Sequence, residues 1–556
     1  MANSNDKRRF NGKGKKRGRN TDRGRTEKSY NRGDAYDKRE RSDDSQYKCD
    51  PARGANDISW YTRYPDLAVA AASMPYPYRP GMELPLSQIV QGYPKIKIPG
   101  VVAINWVPTI GYGVTNTDPA SVVAKQIYSK VRKVYSGSLE ADAPDFVVYL
   151  AALDSIFTYI GWLKRVYRTV TAYSSMNYAT PDQLLEAYGF TAAQATVLRN
   201  NKTKLWESIN TLIYMSRKFT CPAVMDIFNR HYWLTDNVYA DANTMNSQFY
   251  VFNLQAVYIY GEYDTPQGVP AAGLGYITIS SAVKGHTNDL IDSLYELGDS
   301  LISALVDWDD SYTISGYLDR AYEGHPQFIV DLLPNDAVLT PIYNEEVLSQ
   351  IENMRRITGN FPVTQLAPAV AAVTQDPTTN TVISKLQFSA SGVTDELLTR
   401  WNDEGRVDAL VSIRSDAPTA ADTIIATRLT TLCEWSRPTN PTSDTDATIN
   451  VYCGTEFVTE VRIYGSNVLG TNNSVSTTYT VDLSTQAFTF VADLWNIFNL
   501  QQFDWNPGTV VILTENGNPT NVAYSKDLHN TTPITLEMLR NLNRVCLFSE
   551  FNAFNF

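Results

Sequence analysis

Residues 146–163, FVVYLAALDSIFTYIGWL, are apolar on every side of the helix they would form, and no other feature constrains the fold as much. A helix without a polar face cannot lie at an aqueous surface; other elements must enclose it, or lipid must. Eighteen residues fall slightly short of a typical membrane span, and Asp154 in their middle would be costly in hydrocarbon. The expectation is therefore a buried core helix from Phe146 to about Tyr173, turning basic at Lys164, Arg165 and Arg168, with no stable transmembrane insertion.

Helical patterns flank this segment. Ser121–Ser136 follows Asp118-Pro119, Pro181–Tyr188 follows the capping residue Thr180, and Ala192–Ser216 and Ala223–Tyr232 complete a five-helix group. Residues 247–262 read as a strand, Tyr276–Ser280 as a shorter one, and 287–306 as an amphipathic helix with Leu290, Leu294, Leu297 and Leu301 on one face. Two more helices are expected at 393–404 and 420–433, and residues 437–448, RPTNPTSDTDAT, form a linker or surface loop. FVTEVRIYG, TTYTVDL, FTFVADL and TVVILTE then make a strand-rich run before a helix at 535–545. Upstream, Ile58–Gly113 holds Pro at 65, 75, 77, 80, 85, 94, 99 and 108, which favours extended strands or arms over long helices. The fold class read from these patterns is mainly α with a smaller β component.

Charge is unevenly distributed. Residues 1–48 carry seven Lys and nine Arg against eight acids, a net +8, so the remaining residues must carry −19 to reach the overall −11. The basic segment has only Phe10, Tyr30, Tyr36 and Tyr47 to bury, too little to offset the entropy of ordering it, and is expected to be disordered. An acidic body repels phosphate, whereas a flexible cationic arm holds nucleic acid by counterion release without a shaped pocket. The residues assigned to RNA contact are Lys7, Arg8, Arg9, Lys13, Lys15, Lys16, Arg17, Arg19, Arg23 and Arg25. A solvated tail without a partner is the plainer reading of the same charge.

Catalytic signatures are missing. The sequence contains no G-x-x-x-x-G-K-[ST], no G-x-S-x-G and no H-E-x-x-H, and the glycines at 12 and 14 lie in the basic tail without a preceding strand. Cys49, Cys221, Cys433, Cys453 and Cys546, like His231, His286, His325 and His529, are scattered, which argues against a disulfide framework or a zinc site and for a reducing compartment. The acids Asp307, Asp309 and Asp310 around Trp308 read as a solvated loop after a helix, with ion binding or glycosidase chemistry as the sharper alternatives. Near the C-terminus, Asn552-Ala553 beside Glu550 has the residues for self-cleavage by attack of the Asn amide on its own carbonyl; an aromatic tail docking into a core is the simpler reading. No catalytic residue, cofactor or metal is assigned.

The run RRFNGKGKKRGR at residues 8–19 and the segment ISWYTRYPDLAVAAASMPYPYRPGMELPL at residues 58–86, with the chain length and the order of elements, resemble the capsid proteins of picobirnaviruses. These are small viruses with double-stranded RNA genomes; partitivirus-type capsids are a more distant likeness. The resemblance implies a helix-rich double-stranded RNA virus capsid fold, not a jelly roll, and an icosahedral T=1 shell of 60 intertwined dimers. It also implies genomic double-stranded RNA and the viral RNA polymerase as partners, assembly in the host cytoplasm, and the virion capsid as the final location. Some relatives release an N-terminal peptide by self-cleavage, but no motif here places such a site. The corresponding division is a basic RNA-facing arm at 1–48, an extended arm at 49–120 and a helical shell core at 121–270. A mixed domain at 271–440 is a candidate for projection, and a strand-rich segment with a C-terminal helix at 441–556 returns to the shell. Two other classes fit less: a jelly-roll coat protein of a single-stranded RNA virus, for which too few strands are evident before residue 440, and a cellular RNA-binding protein.

Overall fold

The computed structural model describes Ile58 and residues 61–74, 83–84, 96–97, 100–173, 179–242, 247–359, 367–370, 372–390, 393–396, 398–399, 409–438, 441–468, 472–478, 504–505, 508–515, 518–525 and 529–553. The chain divides into a small unit, Met1–Tyr76, and a large one, Pro77–Phe556. In the small unit the described helix is Pro65–Ala72, with Pro at its first position and no buried residue. The proline-rich reading did not foresee this helix, because Pro blocks a helix interior but suits its first turn, where its missing N–H would have had no partner.

The large unit is built around the apolar segment. The helix runs Ala143–Thr171 and every residue from Ala143 to Tyr167 is buried. Asp142 precedes its first residue and Pro144 stands in its first turn, with the Asp145 carboxylate accepting the Asp142 N–H at 2.7 Å. Helices Pro119–Val134, Lys202–Ser216, Asp226–Asp236 and Leu290–Val306 and the strand Ala256–Asp264 pack around it. Two close approaches depend on glycine: a Cβ on Gly161 would meet the Tyr232 ring at 3.2 Å, and one on Gly298 would meet Leu212 Cδ1 at 2.5 Å. The basic end is drawn inward: Lys164 Nζ donates to the Asp331 carbonyl at 3.0 Å, and Arg168 pairs with Asp236 at 2.7 Å.

A five-stranded sheet lies against this bundle. Its order is Asn472–Thr478, Glu456–Val468, Val101–Pro108, Phe249–Leu254 and Tyr239–Ala240. The central strand Val101–Pro108 is buried along its whole length, pairs antiparallel with Glu456–Val468 and parallel with Phe249–Leu254. A continuous run such as VVAINWV fits a strand covered on both faces. A four-stranded antiparallel sheet, ordered Leu432–Ser436, Ala447–Tyr452, Leu386–Ala390 and Ala367–Val370, and several two- and three-stranded pieces complete the β component. None of these sheets is a closed barrel or an eight-stranded sandwich, so the architecture is mainly α with a smaller β component and not a jelly roll.

Several boundaries differ from the sequence reading. The helix expected over Ala192–Ser216 breaks at Asn201, whose φ of −115° and ψ of 32° separate Ala192–Asn200 from Lys202–Ser216. Residues 247–262 form two strands, Phe249–Leu254 and Ala256–Asp264, joined at Gln255, whose N–H bonds to Trp106 O and whose carbonyl accepts from Ile279 N. The pattern at Tyr276–Ser280 is the end of a longer strand, Pro270–Thr278, followed by the short helix Ile279–Val283. The expected helix at 420–433 stops at Ala426, because Leu432–Ser436 is committed to pairing with Ala447–Tyr452. Helices Ser311–Ala321 and Glu345–Asn353 were not foreseen. FTFVADL lies outside the described residues.

The chain returns to the bundle through the helix Leu536–Glu550. At its end Ala553 N donates to Phe548 O and Asn552 N to Ser549 O, with Asn552 at φ 49°. This paired closure with a left-handed residue is a common way to satisfy the last helical carbonyls, and Asn tolerates that conformation.

Candidate functional site

Asp154 is one carboxylate inside an apolar helix, and a buried carboxylate requires a partner. Its partner is His231 on the helix Asp226–Asp236: His231 Nδ1 stands 2.6 Å from Asp154 Oδ2, and both side chains are buried. The other ring nitrogen, Nε2, faces Glu456 Oε1 at 3.6 Å, and the Trp106 ring lies 5.2 Å from the imidazole. Glu456 opens the strand Glu456–Val468 and is 1% exposed. Arg230, one residue before His231, donates Nε to Glu456 Oε1 and Nη2 to Gln350 Oε1 at 3.2 Å.

Arg428 extends the network toward the C-terminal helix. Its Nη2 lies 2.5 Å from Glu550 Oε1, 3.5 Å from Glu456 Oε2 and 3.3 Å from Thr455 Oγ1. Gly454 leaves room for this guanidinium, since a Cβ there would meet Arg428 Nη2 at 3.3 Å. Six charged side chains from five segments distant in sequence thus meet in one interior cluster. Beside it a cavity of about 360 Å³ opens between Arg428, Glu550, Arg540, Arg544, Tyr112 and Tyr452.

The electrostatics follow from this packing. For Glu456, burial favours the neutral acid, but Arg230, Arg428 and His231 outweigh it and hold its carboxyl down at about 2. Burial would lower His231, yet Asp154, Glu456 and Glu550 raise it above the ordinary imidazole value. Burial raises Asp154 against the opposing pull of His231, whose Nδ1 it meets at 2.6 Å. Burial also raises Glu550, and Arg428 is raised by Glu550 and Glu456 despite burial. Both His231 nitrogens face carboxylates, Nδ1 that of Asp154 and Nε2 that of Glu456. The chemistry of the cluster is that of a clamp joining the core helix, a sheet strand and the C-terminal helix.

The residues singled out in the sequence fare differently. Lys7, Arg8, Arg9, Lys13, Lys15, Lys16, Arg17, Arg19, Arg23 and Arg25 lie outside the described residues, as does Cys49. Asp307 and Asp309 are exposed in the turn between two helices while Trp308 stacks on Tyr260 at 4.6 Å, and among the described residues no group of three or more His, Cys, Asp or Glu could hold a metal ion. Cys221, Cys453 and Cys546 are free thiols. The helix Ala143–Thr171 is long and apolar enough to cross a membrane, but its apolar stretch is wholly buried inside the protein. The clamp itself was missed, since its members are spread from position 154 to 550; the one signal was Asp154 interrupting an apolar run.

Comparison with known proteins agrees with the architecture. A family model described as picobirnavirus capsid protein matches residues 60–495. The capsid protein precursor of Human picobirnavirus (strain Human/Thailand/Hy005102/-) is 24% identical over 518 residues, covering 90% of this chain and 91% of that protein. The X-ray crystallographic structure of the picobirnavirus capsid superposes with a TM-score of 0.70 at 20% identity, over 90% of this chain and 99% of that one.

Proposed function

Because this chain belongs to the picobirnavirus capsid protein family, and is a structural protein of the virion capsid, we propose that it associates into intertwined dimers, 60 of which close an icosahedral T=1 shell around double-stranded RNA. The observation that carries the dimer is the helix Pro65–Ala72. None of its residues is buried, while Tyr64 is 77% exposed, Leu67 49% and Val69 68%. Its own small unit does not cover this apolar helix, and in the shell reading a second copy supplies the cover. The part of 49–120 that precedes the buried strand Val101–Pro108 is assigned to this exchange, 121–270 to the shell wall, the part of 271–440 that does not pack on the core helix to projection and 441–556 to the return into the wall.

Residues 1–48 face the RNA in this reading, with Lys7, Arg8, Arg9, Lys13, Lys15, Lys16, Arg17, Arg19, Arg23 and Arg25 as the contacts. Their net +8 against a body of −19 supports the assignment. Assembly takes place in the host cytoplasm, the viral RNA polymerase is enclosed with the genome, and the protein performs no catalytic turnover. Asn552 has a sufficient structural role in closing the last helix, so self-cleavage at Asn552-Ala553 is not part of the proposal.

Electron microscopy and sedimentation of the purified protein test the proposal. Closed particles of uniform size are expected, and the pair Leu67→Asp and Val69→Asp should shift the protein toward monomers without changing the melting of the large unit. A wild-type protein that sediments as a monomer at every practical concentration and ionic strength contradicts it.

A further inference from the structure

A dimer contact alone closes at two copies, so a shell requires at least one further surface on each subunit, one that meets a different patch of its neighbour. The described surface offers a rigid candidate. Residues 326–339, between the helices Ser311–Ala321 and Glu345–Asn353, form neither helix nor regular strand, yet neighbouring elements pin their backbone along its length. Ala223 N donates to Pro326 O at 2.9 Å and Phe328 N to Cys221 O at 2.7 Å. Arg217 Nη2 holds Val330 O at 3.3 Å, while Trp206 Nε1 holds Leu333 O at 2.7 Å and Asn210 Oδ1 accepts Leu333 N at 2.9 Å. Tyr167 Oη then donates to Asn335 O at 2.7 Å, and Leu339 N to Arg168 O at 3.1 Å.

A ribbon fixed in this way has an inner and an outer face. The inner face sends Val330 and Leu333 into the core. The outer face is also apolar: Ile329 is 56% exposed and Leu332 52%. Tyr214, 72% exposed, follows Asn210 by one helical turn on the helix that carries the ribbon's anchors Trp206, Asn210 and Arg217, so it borders the same surface. Arg217 and Lys218 stand exposed at one margin and Asp331 and Asp336 along the ribbon itself. The patch therefore combines an apolar centre, both signs of charge at its rim and a backbone with little ordering entropy left to lose, which suits contact with a surface of the same composition.

We propose that the outer face of residues 326–339, with Tyr214, is a contact between copies of this chain in the shell, separate from the Pro65–Ala72 helix. This rests on the shell reading above, and the test separates the two. The variants are Ile329→Arg with Leu332→Arg, and independently Tyr214→Arg, with Val269→Arg in the turn of the hairpin Ala256–Asp264 and Pro270–Thr278 as an exposed apolar control. Each is checked for folding by circular dichroism and melting, then for assembly by sedimentation and particle counts in electron micrographs. The expected result is that the first two remain folded dimers and lose closed particles at least ten-fold, while Val269→Arg assembles like wild type. Should Ile329→Arg with Leu332→Arg misfold, Tyr214→Arg decides, because it leaves the ribbon intact. Normal particle yield from folded Tyr214→Arg and ribbon variants overturns the contact, as does equal loss in the control; failure of the wild type to form particles overturns the shell reading.

Discussion

Replacing Glu456 with Gln keeps the shape of the side chain and removes the charge that Arg230, Arg428 and His231 face. Its carboxyl is held down from the ordinary 4.5 to about 2, which corresponds to ~3 kcal/mol between ionised and neutral forms. Breaking a buried ion pair by neutralising one partner typically costs ~3–5 kcal/mol, so two routes give the same order. Unfolding entropy of ~2 cal/mol/K per residue over the unit Pro77–Phe556 amounts to ~1 kcal/mol/K, and the expected fall in melting midpoint is therefore ~3 °C. Because the pKa is depressed in the folded state, this stabilisation is complete above about 4.5 and is lost as pH falls toward about 2. The gap between wild type and variant, followed by circular dichroism in matched assembly states, should be full at pH 6 and shrink steadily toward pH 2–3. A variant that melts with wild type at pH 6, or a gap that widens in acid, would refute the clamp.

Three further outcomes are expected. Gly298→Ala should lower the melting midpoint by an amount equivalent to ~1 kcal/mol, since overpacking against Leu212 and Tyr159 exceeds the gain in helix propensity, whereas Gly316→Ala, which meets no atom within 4 Å, should raise it slightly. Protein beginning at Cys49 should form shells in similar yield but with much less RNA, read as a lower 260/280 nm absorbance ratio; equal RNA content removes the arm assignment. Asp309→Ala should leave assembly and melting within error of wild type, because its side chain stands exposed in a turn.

The core helix was legible because one segment without a polar face admits few packings, and the same logic located Pro119–Val134 and Leu290–Val306 from their stripes. Boundaries set by partners were not legible. Nothing local stops the 420–433 pattern at Ala426; the strand Ala447–Tyr452, brought alongside by tertiary structure, does. The clamp shows the same limit more sharply. Asp154 signalled an unmet demand for a partner, but nothing in the sequence connects Glu456 or Glu550 with Arg428, and only the fold brings them together.

The central position of Val101–Pro108 also governs the timing of synthesis. Its parallel neighbour Phe249–Leu254 leaves the ribosome early, but the strand on its other edge, Glu456–Val468, is about 350 residues downstream, a delay of ~20–70 s at ~5–20 residues per second. Until then one buried edge of the sheet lacks its partner, and Glu456 is not yet present to join Arg230 and His231. The sheet therefore closes only after the far downstream strand Glu456–Val468 has been made, and the clamp waits longer still, for Glu550.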